Sequence, residues 1–446
     1  MRKYLCTLLI FWTFPVQSQQ ALEAYIRVGL ENNEVLKQQD FNLQKSIYAL
    51  KEANGLFLPK ISLEGNYFLA GGGRTVDFPA GDILNPVYST LNQLTESSNF
   101  PMIENERILL NPDNFYDIRV RTAMPLFNAE LVYNRRIKSE MVSMQQLEKA
   151  VYQRELVKDI KTAYFKYLKS LEAIKIFETA LQSVEENRRI NAALFQNNQI
   201  NRGVLIRAEN EVIRFQTQID AAIQESYSAQ SHFNFLLNRK LDESISVDEI
   251  APIIENVDFS KNSSDREELR QLDLSNQINE HLLGLSKSYL LPQLSAFIDL
   301  GSQGFEWEYN NKTQYYFFGL AMQWNIFAGG QNKYRKKQAE MDQAFTNSQR
   351  DNVAEQFLLQ QKVSMNNFKA TYSQYNGAVK QAESSERAYK DSSKRYKEGQ
   401  ILFIELLDDQ NQWISAKLQE NISLYECLIK VAETERANAS FNLNAN

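Results

Sequence analysis

The sequence predicts a membrane α+β chain in which very long helices alternate with a few short strands, the whole plan written twice. Three observations carry this. An export signal opens the chain. Two helical stretches each run for more than sixty residues without a stop signal. Four segments of about ten residues alternate apolar and polar side chains.

The signal comes first. Arg2 and Lys3 precede the apolar run YLCTLLIFWTF, and small residues at Val16 and Ser18 predict cleavage after Ser18. Cys6 lies inside the run, too early to become a lipid-modified first residue. Without Arg2 and Lys3, 47 basic residues face 55 acidic ones. That balance argues against a nucleic-acid partner. Cys427 is then the remaining cysteine, so no intrachain disulfide is expected. No later apolar run reaches the roughly 20 residues of a membrane-spanning helix.

The duplication follows from matched segments. AMPLFNAELVYNRRIKSEM from Ala123 pairs with AMQWNIFAGGQNKYRKKQAEM from Ala321, and Glu140-Met141 matches Glu340-Met341 at an offset of 200. LPKISLEGNYFLAGGG from Leu58 pairs with LPQLSAFIDLGSQG from Leu291. FQNNQINRGVLIRAEN from Phe195 pairs with YKEGQILFIELLDDQN from Tyr396. Three matches in one order predict a repeated unit. The expected divisions are a signal at 1–18, a first repeat at 19–240, a linker at 241–264 and a second repeat at 265–446.

Each repeat reads as helix, strand, loop, strand, very long helix, break, returning helix. Pro59 and Pro292 end the opening helices, because proline cannot continue the hydrogen-bond ladder. The stretches 130–195 and 331–396 read as helix throughout, apart from Gly377 in the second. At 1.5 Å per residue each is roughly 100 Å long. Their apolar stripes are narrow: Ile137, Met141, Met144, Leu147 and Val151 in one; Phe368, Tyr372, Tyr375, Val379 and Ala382 in the other, with Tyr389 and Tyr396 continuing in sevens. That spacing is a coiled-coil seam.

The strands alternate with period two. Tyr316, Phe318, Leu320, Met322, Trp324 and Ile326 share one face of the fourth; Ile118, Val120, Thr122 and Met124 share one face of the second. Leu294, Ala296, Ile298 and Leu300 mark the third, and Ile61, Leu63, Tyr67 and Leu69 the first. Trp307, Tyr309, Tyr315, Tyr316 and Trp324 are candidates for interfacial girdles. Four strands cannot close a barrel, and an open edge in lipid costs several kcal/mol per unpaired group. If they span a membrane, several chains share one barrel: two chains give eight strands and three give twelve. A soluble sandwich and a periplasmic coiled-coil scaffold are the alternatives.

No enzyme is expected. His232 and His281 sit in polar helical segments, and no nucleophile, phosphate-loop or metalloprotease motif is present. No catalytic residue, metal ligand or cofactor is assigned. The glycines at 71–73 read as loop, with no helix following to cradle a phosphate.

The ordered, duplicated set of segments resembles the TolC-like outer-membrane efflux protein family (outer membrane factors). ALEAYIRVGLENNEVLKQ is similar to the family's first helix, LPKISL and LPQLSA to its helix-to-strand junctions, WNIFAGGQNKYRKKQAE to its strand-to-helix junction, and RYKEGQILFIELLDDQNQWISAKLQ to its late glycine turn. The resemblance implies a homotrimer with a 12-stranded outer-membrane β-barrel, four strands per chain, continued by a helical coiled-coil barrel in the periplasm. It implies a passive exit duct of a tripartite efflux system, with a periplasmic adaptor protein and an inner-membrane pump or ABC transporter as partners and outer-membrane lipid around the strands. A type I protein secretion duct is the alternative within the family. The long loop 71–114 would be extracellular, and 241–264 part of an equatorial belt.

The resemblance also implies site residues. The adaptor-docking tips fall on Asn198, Gln199, Ile200 and Asn201, and on Gly399, Gln400, Ile401 and Leu402. Glycine accepts the positive φ of a tight turn, and asparagine is the next most tolerant residue. Ile200, Ile401 and Leu402 would be exposed there. The pore constriction falls on Glu405 and Asp408, three apart and so able to share one helical face. Their partners in the first repeat are Val204 and Arg207. Threefold symmetry would make each acid a ring, with like charges about 6 Å apart repelling by roughly 3 kcal/mol per pair at a dielectric near 20. Arg207 is a candidate for a salt bridge that holds the gate shut, and Asp409 would lie outside the pore.

Overall fold

The computed structural model describes residues 20–111, 113–247 and 266–443. The expected signal segment, and 248–264 of the expected linker, lie outside the described residues. Two helices open the described residues, α1 (Gln20–Asn32) and α2 (Glu34–Gly55). Asn33 separates them and caps α2, its side chain accepting from the Val35 and Leu36 amides at 3.0 and 3.1 Å. Strand β1 (Lys60–Phe68) begins at the residue after Pro59. In the second half α6 (Glu267–Ser288) leads to β5 (Gln293–Phe305), which begins at the residue after Pro292. Both prolines sit where helix gives way to strand.

β1, β4 (Phe115–Phe127), β5 and β6 (Gln314–Gln323) form one antiparallel sheet in the order β1-β4-β5-β6. Among the described residues its ends, β1 and β6, are free edges. The register aligns the apolar positions: Leu63 faces Val120, Val120 faces Leu300, and Leu300 faces Tyr316. Those side chains are not covered, with Leu63 at 74%, Leu300 at 55% and Tyr316 at 79% exposure. An apolar face this bare in four strands has no core to serve. Pro125 lies inside β4 at the register shift between Pro125 and Phe127, the kind of irregularity at which a strand tolerates proline. β6 ends at Gln323, so Trp324 and Ile326 fall outside the expected fourth strand. The Trp324 indole instead donates to the Leu290 carbonyl at 3.1 Å.

The opposite face is charged and cross-linked. Arg121 forks onto Asp299 at 2.8 and 2.7 Å. Arg119 reaches Glu64 at 2.9 Å and Asp117 at 3.0 Å. Tyr315 donates to Asp117 at 2.7 Å, so it belongs to this polar face and not to an outer aromatic girdle. Two glycines let these groups lie flat. A Cβ on Gly301 would meet the Ile118 carbonyl at 2.7 Å and the Arg119 side chain at 2.8 Å; one on Gly319 would meet the Phe297 ring at 2.5 Å. Trp307 goes the other way: it stacks on Tyr116 and Tyr67 at 5.3 and 5.0 Å between ring centres.

The segment 71–114 is not the plain loop expected. It holds β2 (Thr75–Phe78), helix α3 (Ala80–Leu94) and β3 (Glu106–Leu109), with β2 and β3 paired. A helix does follow the glycines, but β2 stands between them, and Gly72 and Gly73 turn the chain with φ of +74° and +103°. Asparagines fasten the return chain to α3: Asn85 to Ile103 and Asn92 to Phe100. Pro86 within α3 and the surrounding Ser, Thr and Asn hide the helix from propensity arguments.

The long helices form as expected. α4 (Ala129–Gln196) has 68 residues and α7 (Gln331–Lys397) has 67; Gly377 does not interrupt α7. The returning helices α5 (Arg202–Leu236) and α8 (Phe403–Ala437) have 35 residues each. His232 lies in α5 and His281 in α6, and Cys427 is buried.

The chain divides into two compact units, one of Met1–Ile47, Glu140–Asn279 and Met341–Asn446, the other of Tyr48–Ser139 and Glu280–Glu340. Each draws on both sequence repeats, so compactness and repetition divide the chain differently. The first unit's core joins α1, α4, α5, α7 and α8 through Ile26, Ile160, Tyr164, Phe233, Phe368 and Cys427. Ile245, from the described part of the expected linker, packs into it. Beside that core lies an ion-pair network. Arg266 and Arg436 both bind Glu268 at 2.8 and 2.7 Å, and Arg436 also binds Glu155 at 3.0 Å. Burial opposes ionisation of Glu268, but the hydrogen bonds from Arg266 and Arg436 outweigh it and hold the carboxyl at about 2.

Candidate functional site

The site is built where the long helices end. α7 stops with Gly399 in the left-handed region at φ +74°, and α4 stops with Asn198 at φ +58°. Gly399 N–H reaches Tyr396 O and Gln400 N–H reaches Arg395 O, each at 2.9 Å. Asn198 and Gln199 make the same pair of bonds to Phe195 and Leu194, again at 2.9 Å. This is the Schellman stop in both repeats, and it satisfies carbonyls that the helix end would leave bare. The ends of α5 and α8 repeat it at Asn238 and Ala439, with φ of +54° and +49°.

The restarts differ between repeats. Asn201 caps α5, its side chain accepting from the Val204 amide at 3.2 Å. Leu402 occupies the matching position before α8 and has no acceptor. There the Glu405 carboxylate reaches back to the Leu402 amide at 3.4 Å, the reciprocal half of a capping box. Glu405 therefore works locally at the helix start while its side chain stays exposed. Asp408, one turn on, is also exposed and accepts from Gln412 at 2.8 Å. Asp409 takes a different position: Ser392 of α7 donates to its carboxylate, which ties α7 to α8.

The apolar tip residues separate. Leu402 is 67% exposed, and Ile404 behind it 52%. Ile401 is half-buried against a cluster of Tyr389, Tyr396, Phe403, Leu406 and Leu407; Ile200 is half-buried as well. The expected exposure thus holds for Leu402 and not for Ile401 or Ile200. Asn198, Gln199, Asn201, Gly399 and Gln400 are exposed. Arg207 is exposed on α5, and among the described residues it makes no ion pair within the chain.

Behind the tip lies a polar interior that the sequence did not announce. Asn191 is fully buried and accepts from the Tyr396 hydroxyl; Asn187 donates to Gln410 at 3.1 Å, and Gln410 is itself buried. Burial pushes the Tyr396 and Tyr389 hydroxyls above their ordinary range, which keeps both as donors. Tyr389 stacks flat on Trp413 at 4.9 Å. The seven-residue step from Tyr389 to Tyr396 was the only visible signal for this cluster. Between α4 and α8 a groove of about 210 Å³ is lined by Ile176, Trp413 and Ile414 together with Lys175 and Lys417.

The chain has the fold of outer-membrane channels. It is similar to the outer-membrane channel OprN at 15% identity and a TM-score of 0.76, with 94% of this chain and 90% of that one covered. For the Campylobacter jejuni CmeC outer membrane channel the values are 15% and 0.76, covering 96% and 87%. For the open state of the Neisseria gonorrhoeae MtrE outer membrane channel they are 16% and 0.74, covering 94% and 88%. No curated protein matches the sequence. Residues 263–434 match the model of the outer membrane efflux protein family. That segment is thus similar to the family the sequence resembles, and the whole chain shares the fold of the outer-membrane channels.

Proposed function

We infer that the protein is the outer-membrane exit channel of a tripartite efflux system, a passive duct for small molecules across the outer membrane and periplasm. One observation carries the reading: a four-stranded sheet with a bare apolar face and two free edges, grown from helices of 68 and 67 residues. Free edges in lipid must be paired, so several chains close one barrel. Three chains give twelve strands and a homotrimer. The apolar face meets lipid, and the Arg119–Arg121 face lines the lumen. The two structural repeats are 19–240 and 265–446, joined by an equatorial linker at 241–264.

The tips face the inner membrane in this reading. Asn198, Gln199, Ile200, Asn201, Gly399, Gln400, Ile401 and Leu402 dock a periplasmic adaptor protein, with exposed Leu402 as the apolar contact. Glu405 and Asp408 form rings that narrow the pore and favour cations. Arg207, which makes no ion pair among the described residues, is available to a neighbouring copy for a gate salt bridge. The chain supplies no chemistry of its own, and energy comes from an inner-membrane pump or ABC transporter. Planar-bilayer recording with the purified protein tests the duct directly. Discrete single-channel steps support it; a protein that stays soluble in the periplasmic fraction and adds no conductance rejects it in favour of a scaffold.

A further inference from the structure

The strand-to-helix junctions hold a feature that the duct itself does not use. Just past the sheet, α4 carries Arg135, Arg136 and Lys138, and α7 carries Lys333, Arg335, Lys336 and Lys337. The chain as a whole has a net charge of −6, so these two short runs reverse its sign. They occupy matching places in the two repeats. Glu340 neutralises part of the second run, pairing with Lys337 at 2.9 Å and Lys336 at 3.5 Å. Among the described residues, Arg135, Arg136, Lys138, Lys333 and Arg335 make no ion pair.

These cations sit among aromatic rings. Arg135 lies over Phe57 at 5.6 Å and Arg335 over Tyr289 at 4.8 Å, the rings lying just past the ends of α2 and α6. Arg136 lies over Tyr133 at 5.7 Å. Stacking holds each guanidinium in place and leaves its N–H groups unspent. The same layer exposes Phe127 and Phe327, the latter at 87%. Continuing the bare apolar face of the sheet, this gives the sequence of a membrane boundary: hydrocarbon-facing aliphatics, then aromatics, then cations.

Geometry fits the depth. Arg335 and Arg135 are four and six residues inside their helices, about 6 and 9 Å past the helix start. The headgroup layer beyond the hydrocarbon is about 5–8 Å thick on each side. Helical side chains lean toward the helix N-terminus, which here means back toward the sheet. Long basic side chains starting just beyond the headgroups therefore reach into them.

We propose that this basic and aromatic collar binds the phosphodiester headgroups of anionic phospholipids in the leaflet that borders the helical part of the protein. The inference rests on the reading of the sheet as membrane-spanning. Neutral headgroups carry a phosphate too but offset it with a cation, so the collar discriminates by net charge.

The test uses the full-length protein in nanodiscs of phosphatidylcholine alone or with phosphatidylglycerol, with retained lipids counted by native mass spectrometry. We expect phosphatidylglycerol to be retained in preference, and Arg135→Gln/Arg136→Gln/Lys333→Gln/Arg335→Gln to lower that preference by at least about tenfold. The charge-matched variant Lys362→Gln/Lys369→Gln/Lys380→Gln/Lys394→Gln, further along α7, should keep it. Equal retention of both lipids by the unaltered protein overturns the proposal while leaving the duct intact. So does an equal loss of preference in both variants. Saturable inorganic phosphate binding in lipid-free detergent, lost with the collar variant, would assign the site to free phosphate and overturn the lipid assignment. Failure to enter any bilayer removes the membrane reading itself, and the collar with it.

Discussion

Asn198 and Gly399 hold the same left-handed stop 201 residues apart, each followed by an amide bonded to the carbonyl five residues before it. The space around Gly399 is open, with nothing within 4 Å of an added Cβ. A substitution there is therefore opposed by the backbone alone. Gly399→Ala should cost about 1 kcal/mol and Gly399→Val more, whereas Asn198→Gly should be neutral or mildly stabilising. Thermal unfolding by circular dichroism reads the order. Equal melting temperatures for Gly399→Val and the parent would show that the turn relaxes out of the left-handed region.

Glu405 caps the start of α8 and is proposed to charge the pore, and the two roles can be separated. Glu405→Gln keeps an acceptor for the Leu402 amide but removes the charge. It should leave stability nearly unchanged and weaken cation preference in a salt gradient, more so when combined with Asp408→Asn. A reversal potential identical to the parent's would remove both residues from the constriction.

Arg207 makes no ion pair among the described residues. If it bridges to a neighbouring copy at the gate, Arg207→Ala should raise the open probability or conductance of the channel in bilayers at low salt. The effect should shrink as salt rises and screens the pair. Unchanged conductance across that range would end the gate assignment.

Glu268 makes the first unit acid-sensitive in a defined window. Its folded value of about 2 lies below the ordinary value of 4.5. The sign is that of a depressed carboxyl: its stabilisation is complete above about 4.5 and fades as pH falls toward 2, amounting to about 3 kcal/mol at neutral pH. Glu268→Gln should flatten the stability profile over that interval and leave Arg266 and Arg436 short of a counter-charge. Parallel acid-denaturation curves for parent and variant would contradict the assignment.

Gly301 is expected to be intolerant. Its Cβ position is blocked by the Ile118 carbonyl, which the β4–β5 ladder holds in place. Gly319 faces the movable Phe297 ring instead. Gly301→Val should abolish the proposed trimer as read by size-exclusion chromatography with light scattering, while Gly319→Ala should only reduce its yield. The reverse ranking would mean that ring packing outweighs backbone approach in this sheet.

Much of this fold was legible because long-range order follows from local rules. Pro59 and Pro292 mark helix-to-strand changes, Asn198 and Gly399 mark turns, and period-two alternation marks strands whose faces the structure keeps distinct. What was not legible depends on partners distant in sequence. Tyr315 looks like a girdle residue until Asp117, 198 positions away, takes its hydroxyl. Ile401 looks exposed until the cluster around Tyr396 and Phe403 covers it. Helix α3 was hidden because its asparagines serve side-chain contacts to Phe100 and Ile103 and not propensity. At the candidate site, the turn residues were readable from backbone demands. The capping role of Glu405 was not, since it arises from the absence of an acceptor on Leu402.

The central claim is that three copies share one barrel through the free edges of β1 and β6. Single-particle imaging of the full-length protein purified in detergent tests it most directly. The account predicts threefold particles with a twelve-stranded barrel leading into a helical tunnel. Monomers, or twofold particles with eight strands, would contradict it.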